Sequence, residues 1–185
     1  MCYNIYMNKD IQSIVLTEEQ IKEKVAQAAA WLDERFAGKN PLFISVLKGS
    51  VMFFCDLVRA MQTPVQMDFM TVSSYGSGSE STGMPKIVMD LAAPVKDRDV
   101  VLVEDIVDSG HTLLRMRDLI TGRGASSFTT VALFDKPARR QVDIKADFAC
   151  FEIGDEFIVG YGLDYAQQYR TLPYVGILKR EIYEK

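Results

Sequence analysis

The sequence DVVLVEDIVDSGHTL occupies residues 99–113 of this chain of 185 residues. Its unbroken aliphatic run at 100–103 is typical of a parallel strand that is covered on both faces. After it come three carboxylates within five positions: Glu104, Asp105 and Asp108. A polar turn then leads into an apolar pattern with helical spacing. Backbone N–H groups in such a turn favour anions, and the acids suit a divalent cation or sugar hydroxyls. The stretch therefore predicts a site for a phosphorylated ligand.

Strands and helices are predicted to alternate along the rest of the chain. Thr17 and Gln20 form a capping-box pattern, and the apolar residues that follow at helical spacing predict a first helix that ends near Gly38. A second helical pattern covers residues 51–61. Apolar runs predict strands at residues 42–47, 65–69, 87–91, 128–134 and 148–153. This alternation predicts an α/β fold with a mostly parallel central sheet flanked by helices.

Domain boundaries are not visible in the sequence, which contains neither a linker nor a repeat. We therefore expect a single domain over residues 1–185, in which residues 1–13 form a flexible N-terminal extension. Residues 73–83 are polar and rich in glycine, so they cannot build a core and are predicted to be a mobile loop. The strand that follows at 87–91 returns from this loop as the second strand of a long hairpin.

The bulk composition is that of an ordinary globular protein and argues against several classes of function. Apolar residues make up 48% and charged residues 25%, and these values argue against a disordered chain. A net charge of −4 supplies no overall positive field that would attract nucleic acid, although it does not exclude a local basic patch. The three cysteines are scattered, and no apolar run is long enough to span a bilayer. We therefore expect a cytoplasmic protein that binds neither membranes nor nucleic acid.

Polar residues follow four of the predicted strands. They lie at 48–49, at 104–105, at Lys136 and in the segment after residue 153. In an open parallel sheet, ligands bind beyond the carboxyl ends of the strands. The sequence thus predicts that all four strand ends line one cleft.

Five motifs along the chain resemble those of the type I phosphoribosyltransferases. The acidic turn is similar to their phosphoribosyl diphosphate signature, and the full set is most similar to the bacterial hypoxanthine-guanine members of the family. The motifs lie at residues 47–50, 74–76, 104–112, 136–137 and 157–165. The resemblance covers nearly the whole chain, from about residue 14 to the C-terminus.

This resemblance implies both an activity and a fold. The activity is the Mg²⁺-dependent transfer of 5-phosphoribosyl from phosphoribosyl diphosphate to hypoxanthine or guanine in purine salvage, which gives IMP or GMP and pyrophosphate. The fold is the type I phosphoribosyltransferase fold, a mostly parallel sheet flanked by helices, with a small hood and a flexible hairpin loop. Members of the family associate as dimers or tetramers, so the resemblance also implies a homo-oligomer.

The same resemblance assigns the sugar-phosphate side of the site to the acidic turn. Glu104 and Asp105 would hold the ribose hydroxyls and, together with Asp164, the Mg²⁺ ion. Asp108 would be the catalytic residue that takes the proton of a purine ring nitrogen. His111 would take part only through its backbone N–H. The residues that would bind phosphoribosyl diphosphate or its 5′-phosphate are Glu104, Asp105, Asp108, Ser109, Gly110, His111 and Thr112.

Other motifs would supply the pyrophosphate and purine contacts. Lys48 and Gly49, in a loop whose peptide is often cis in the family, would contact the pyrophosphate together with Arg170. Lys136 would donate to the 6-oxo group of the base, since an ammonium can donate but cannot accept a hydrogen bond. Phe157 would stack on the base. The implied purine contacts are Lys136, Phe157, Ile158 and Asp164, and the implied lid residues are Ser74 and Tyr75.

The residues alone leave plainer alternatives open. The acidic turn could be an ordinary capped helix start, because Asp, Ser and Thr all cap helices well. Asp108 could merely orient the phosphate loop, and Phe157 could belong to the core. For the whole protein, the alternative is an RNA-binding regulator with a phosphoribosyltransferase fold, which would need a basic face. A P-loop protein is excluded because the sequence has no Gly-x-x-x-x-Gly-Lys-Ser/Thr pattern.

Overall fold

The computed structural model describes residues 8–73 and 86–184 and contains a central six-stranded sheet. The elements in chain order are β1 (Ile11–Leu16), α1 (Glu18–Arg35), β2 (Leu42–Leu47), α2 (Val51–Ala60), β3 (Gln66–Ser73), β4 (Lys86–Met89), β5 (Asp99–Val107), α3 (His111–Gly122), β6 (Ser127–Asp135), a 3₁₀ helix (Pro137–Arg139), β7 (Phe148–Glu152), β8 (Ile158–Val159), β9 (Val175–Leu178) and α4 (Arg180–Tyr183). The large sheet has the order β4-β3-β2-β5-β6-β7, and all neighbours in it are parallel except β3 and β4. The predicted α/β fold is confirmed.

The central strand β5 separates two hydrophobic cores. Val101 and Val103 pack with α1 and α2 on one face, while Val100 and Leu102 pack with α3 on the other. All four side chains are fully buried, which explains why the sequence shows an unbroken apolar run here and not an alternating one. The strand is longer than this run because β6 pairs with it as far as Val107, so the first two acids lie within the strand.

Side-chain hydrogen bonds fix the starts of the first two helices. The N–H of Gln20 donates to Thr17 Oγ1 at 3.3 Å and the N–H of Thr17 donates to Gln20 Oε1 at 2.8 Å, so the predicted capping box begins α1. Ser50, just before α2, is fully buried, and its hydroxyl donates to the carbonyl of Val46 at 2.6 Å. This bond ties the start of α2 back to β2 and thereby shapes the loop at 48–49.

A second, antiparallel sheet with the order β1-β9-β8 forms a small hood. Ile11 of β1 pairs with Leu178 of β9, and both side chains are fully buried. Residues 11–13 therefore belong to the hood and not to the expected flexible extension at 1–13. The sequence could not show this because the partner strand comes from the opposite end of the chain. The predicted lid residues, Ser74 and Tyr75, lie outside the described residues.

The loop after β2 lies in close contact with both β5 and the hood. A Cβ at Gly49 would lie 1.5 Å from Asp105 Oδ2, so only glycine leaves room for that carboxylate. A Cβ at Gly162, whose φ is +99°, would lie 2.1 Å from the carbonyl oxygen of Gly49. Two glycines thus permit a three-layer contact between the loop after β2, the end of β5 and the segment after β8.

Replacing Gly162 with alanine is expected to lower the free energy of unfolding by about 2 kcal/mol or more, because the new Cβ meets backbone and the positive φ is unfavourable. Urea denaturation measures this loss. Gly122→Ala is the matched control, since Gly122 ends α3 and nothing lies within 4 Å of its Cβ position. That variant should match the parent or gain up to about 1 kcal/mol. Equal losses in both variants would contradict the close contact.

Candidate active site

Two adjoining cavities form one cleft at the carboxyl edge of the large sheet. The first has a volume of about 330 Å³ and the second of about 200 Å³, and both are lined by Asp105, Ile106 and Asp108. The first is also lined by the predicted residues Lys48, Gly49, Glu104, Ser109, Gly110 and Thr112, and the second by Lys136, Phe157, Ile158 and Asp164. Residues from all four predicted strand ends therefore meet in one cleft. His111 and Arg170 line neither of these two cavities.

The polar turn between β5 and α3 is supported from behind by the segment that follows the 3₁₀ helix. Gly110 adopts φ +88°, and a Cβ there would lie 2.9 Å from the side chains of Val142 and Ile144. The N–H of Gln141 donates to the carbonyl of Ser109 at 2.9 Å. The side-chain oxygen of Gln141 lies 3.1 Å from Nε2 of His111, and His111 lines neither cavity. The turn is thus held in a shape that opens its residues toward the first cavity.

Glu104 and Asp105 are carboxylates held in a desolvated position. Burial, reinforced by the neighbouring charge of Asp105, raises the pKa of Glu104 well above its usual range, and its Oε1 has no hydrogen-bond partner among the described residues. Burial also raises the pKa of Asp105 to about 6, although the N–H of Ile106 donates to its Oδ1 at 2.8 Å. Burial disfavours the ionised form of both acids in the free protein, so the pair is well suited to bind a cation that is supplied with the ligand.

The chemistry of this pair fits Mg²⁺. The ion usually takes one or two protein carboxylates and completes its octahedral shell with water and substrate oxygens. Across residues 8–73 and 86–184, no three His, Cys, Asp or Glu side chains are grouped so that they could hold a metal ion. The expected set of Glu104, Asp105 and Asp164 therefore does not form a single cluster of ligands among these residues. Asp164 is paired with Arg170 and accepts from the N–H of Gln167.

A polar network joins the segment after β8 to the loop after β2. Arg170 donates to Asp164 at 2.7 Å and to the carbonyl of Gly162 at 2.7 Å. The side-chain oxygen of Gln167 accepts from Arg170 at 3.3 Å and from Lys48 at 3.5 Å. The peptide between Leu47 and Lys48 is cis. Lys48 and Arg170 therefore lie on the same side of the site, beside the first cavity.

Lys136 and Asp108 both line the second cavity. Lys136 is only 5% exposed, and its ammonium donates to the carbonyl of Glu156 at 2.8 Å. Burial lowers its pKa, while the charge of Asp108 opposes that shift. Asp108 Oδ1 is buried and has no hydrogen-bond partner within the described part of the chain. The second cavity thus presents the ammonium of Lys136 and a carboxylate oxygen of Asp108, whose ionic neighbour in the free protein is Arg139 at 3.5 Å.

Two residues beside the second cavity were not found from the sequence. Arg139 lies with Nε 3.5 Å from Asp108 Oδ1 and with Nη1 3.3 Å from Asp155 Oδ1. Its spacing of three residues from Lys136, across a proline that starts a 3₁₀ turn, could have indicated that the two side chains share a face. Tyr183 stacks on Phe157. No local sequence pattern indicates this contact, because the position of Tyr183 depends on the hood.

Known proteins resemble this chain over nearly its full length. The family model described as "Phosphoribosyl transferase domain" matches residues 12–166. The hypoxanthine-guanine phosphoribosyltransferases of Streptococcus thermophilus (strain CNRZ 1066) and Streptococcus agalactiae serotype V are each 49% identical over 179 residues, which is 97% of this chain and 99% of theirs. A crystal structure of a hypoxanthine phosphoribosyltransferase from Staphylococcus aureus superimposes with a TM-score of 0.92 at 43% identity, covering 98% of this chain and 99% of that one.

The chain belongs to the phosphoribosyltransferase family. The relatives named above are hypoxanthine-guanine or hypoxanthine phosphoribosyltransferases of that family, so the resemblance inferred from the five motifs is confirmed. The predicted type I fold is confirmed as well, since the match to the solved structure extends over sheet and hood. Of the helices in the described ranges, none has the length and apolarity needed to cross a membrane.

Replacing Asp105 with asparagine is expected to stabilise the protein at pH 7.5 without Mg²⁺ by about 1–3 kcal/mol, because a desolvated charge is removed. The folded-state pKa of about 6 lies above the ordinary 3.8, so the parent loses unfolding free energy as the pH rises from about 4 through 6. The difference between the variant and the parent should therefore vanish near pH 4.

Thermal and urea unfolding across this pH range measure the effect. Asp118→Asn is the control, since Asp118 lies exposed on α3 and its replacement should leave the unfolding free energy at pH 7.5 nearly unchanged. Addition of Mg²⁺ should raise the melting temperature of the parent more than that of the Asp105 variant. An Asp105→Asn protein that is less stable than the parent at pH 7.5 would show that the carboxylate is not penalised by burial.

Proposed function

We propose that this chain transfers 5-phosphoribosyl from phosphoribosyl diphosphate to hypoxanthine or guanine in purine salvage, giving IMP or GMP and pyrophosphate. The observation that carries the proposal is the shared wall of the two cavities. Asp105, Ile106 and Asp108 line both, so the turn that suits a sugar phosphate and the pair of Lys136 and Phe157 open into one cleft. A ligand with a phosphate at one end and a planar base at the other matches that arrangement.

On the sugar-phosphate side, the residues bind and orient the donor substrate. The turn over residues 108–112 would receive the 5′-phosphate through its N–H groups and hydroxyls. Glu104 and Asp105 would hold the ribose hydroxyls and Mg²⁺, which when bound supplies charge neutralisation for the departing pyrophosphate. Lys48 and Gly49 would contact that pyrophosphate directly. Arg170 would contribute its charge from beside Asp164, and Asp164 would reach the ion through water and help to frame the base.

On the base side, the residues select a 6-oxo purine. The buried ammonium of Lys136, which donates to the carbonyl of Glu156 in the free protein, would donate to the 6-oxo group instead. A 6-amino purine offers no acceptor there, so adenine would leave a buried ammonium without that bond. Phe157 would stack on the ring, and the backbone of Ile158 would read its edge.

Asp108 would take the proton that the purine nitrogen loses as the new glycosidic bond forms. Its buried Oδ1 has no hydrogen-bond partner among the described residues, and it lines the wall between the two cavities. A group on that wall would be within reach of both the base nitrogen and the sugar carbon, which supports this role. The bond between the sugar and pyrophosphate breaks in the same step, so pyrophosphate leaves with the electron pair.

The proposed function also includes a lid, a cellular location and an oligomeric state. Ser74 and Tyr75, which lie outside the described residues, would close over the reacting centre and exclude water. The protein would work in the cytoplasm as a homo-oligomer, either a dimer or a tetramer. Its partners would be its substrates and products, with no role for membranes or nucleic acid.

Purified protein with Mg²⁺ and phosphoribosyl diphosphate is expected to convert hypoxanthine to IMP and guanine to GMP. Adenine should react at least about 10⁴-fold less efficiently, because it cannot accept from Lys136. Chromatography of the nucleotide products, with hypoxanthine, guanine, xanthine and adenine competing in one vessel, measures the preference. If neither hypoxanthine nor guanine is consumed, the proposed function is wrong.

Asp108→Asn is expected to lower kcat by about 10²–10⁴, since asparagine keeps the shape of the turn but cannot take up a proton. The KM for phosphoribosyl diphosphate should change little. Asp143→Asn, an exposed substitution in the nearby 140–146 segment, serves as the control and should leave both constants unchanged. An unaltered kcat in the Asp108 variant would reduce that residue to orienting the phosphate turn.

A further inference from the structure

The ring of Phe157 stands between two cavities. On one side is the 200 Å³ cavity with Asp108 and Lys136, which is the proposed purine subsite. On the other side is a cavity of about 650 Å³ that is lined by Phe157 and Tyr183 but by neither Asp108 nor Lys136. The side chain of Phe157 is 36% exposed, so the cores of the protein do not hold its ring in place. Its orientation must come from neighbours at the surface.

Two tyrosines supply that support. Tyr183 of α4 stacks on Phe157 with the ring centroids 4.8 Å apart and the planes 22° from parallel. Tyr165 stands nearly perpendicular to Phe157, at 86° and 5.7 Å. Both geometries are the favourable ones for aromatic pairs. Tyr183 thus covers one face of Phe157, and Tyr165 packs against the same ring at a nearly perpendicular angle.

The backbone keeps α4 at a fixed distance from Phe157. The N–H of Leu178, at the end of β9, donates to the carbonyl of Phe157 at 2.9 Å. The next residue, Lys179, donates its N–H to the carbonyl of Asp10 at 3.0 Å and stands directly before α4. The C-terminal helix is therefore anchored to the hood directly after β9, and β9 is the strand whose last residue donates the hydrogen bond to Phe157.

We infer that Tyr183 is a positioning residue for the purine: it covers the far face of Phe157, so that a bound base, Phe157 and Tyr183 form three stacked layers. The inference rests on the proposed function, because it assumes a purine in the cavity between Phe157 and Asp108. Tyr183 touches no substrate in this arrangement. It fixes the ring of Phe157 before the base arrives, which lowers the entropy lost on binding the base and leaves the sugar-phosphate side unaffected.

The opposite arrangement, with Tyr183 in the place of the purine, does not agree with the cavities. A tyrosine in that place would line the cavity that contains Asp108 and Lys136, and Tyr183 does not. It lines the cavity on the other side of Phe157, together with Arg180 and Glu184 of its own helix region. The cavity between Phe157 and Asp108 is open for the base.

The test compares Tyr183→Leu with Tyr183→Phe in steady-state kinetics. Leucine keeps apolar bulk but removes the ring, and it should raise the KM for hypoxanthine by about three- to tenfold, the range that one aromatic stack can supply. The KM for phosphoribosyl diphosphate and kcat should stay within about twofold. Phenylalanine restores the ring and should return the KM for hypoxanthine to within about twofold of the parent. Ile182→Val, which alters the packing of α4 against the hood but keeps Tyr183, should leave it unchanged.

Several results would overturn the inference. In an active parent enzyme, an unchanged KM for hypoxanthine in Tyr183→Leu would show that Phe157 needs no support. A lower KM would mean that Tyr183 competes with the base. A rise of both KM values with a lower melting temperature, or a failure of Tyr183→Phe to restore the parent value, would assign Tyr183 a general structural role. An inactive parent would overturn the proposed function and this inference with it.

Discussion

Gly49 lies between the carboxylate of Asp105 and the backbone of Gly162, and neither neighbour leaves room for a side chain. This contact joins the loop after β2, the end of β5 and the segment after β8. Apolar packing alone tolerates small shifts between elements, whereas a backbone contact of this kind does not. The relative positions of the loop after β2, the acidic end of β5 and the segment after β8 therefore depend on this one close contact.

The two acids at the end of β5 lower the stability of the free protein. Burial raises the pKa of both Glu104 and Asp105, so each resists being ionised in the free protein. A stable fold alone would gain from apolar residues at these positions, because they continue a strand that is buried on both faces. Carboxylates at these positions fit the proposed function, in which a desolvated pair would attract a cation and sugar hydroxyls once the donor substrate brings them.

The sequence predicts the sugar-phosphate side of the cleft well because that side is local. A strand, an acidic turn and a helix start follow one another within residues 99–113, and periodicity and capping chemistry act over the same distance. The hood is different. Ile11 is anchored by Leu178 at the other end of the chain, and Tyr183 reaches Phe157 only because β9 pairs with β8. No local pattern contains such pairings, so residues 11–13 fall within the expected extension and no sequence signal points to Tyr183.

This division of the cleft has a consequence for specificity. Most of the groups that would hold the sugar phosphate come from the carboxyl edge of the large sheet, where β5 and β6, each nine residues long, are paired from Asp99 to Val107. The groups that would hold the base come from the loop after β6 and from the hood, whose strand β8 is only two residues long. Changes in the hood can therefore alter how a base is bound without disturbing the contacts to the sugar phosphate. The aromatic stack on Phe157 matters for the same reason: Ile158 and Val159 are buried in the hydrophobic clusters, whereas Phe157 just before them is exposed and has Tyr165 and Tyr183 as its aromatic neighbours.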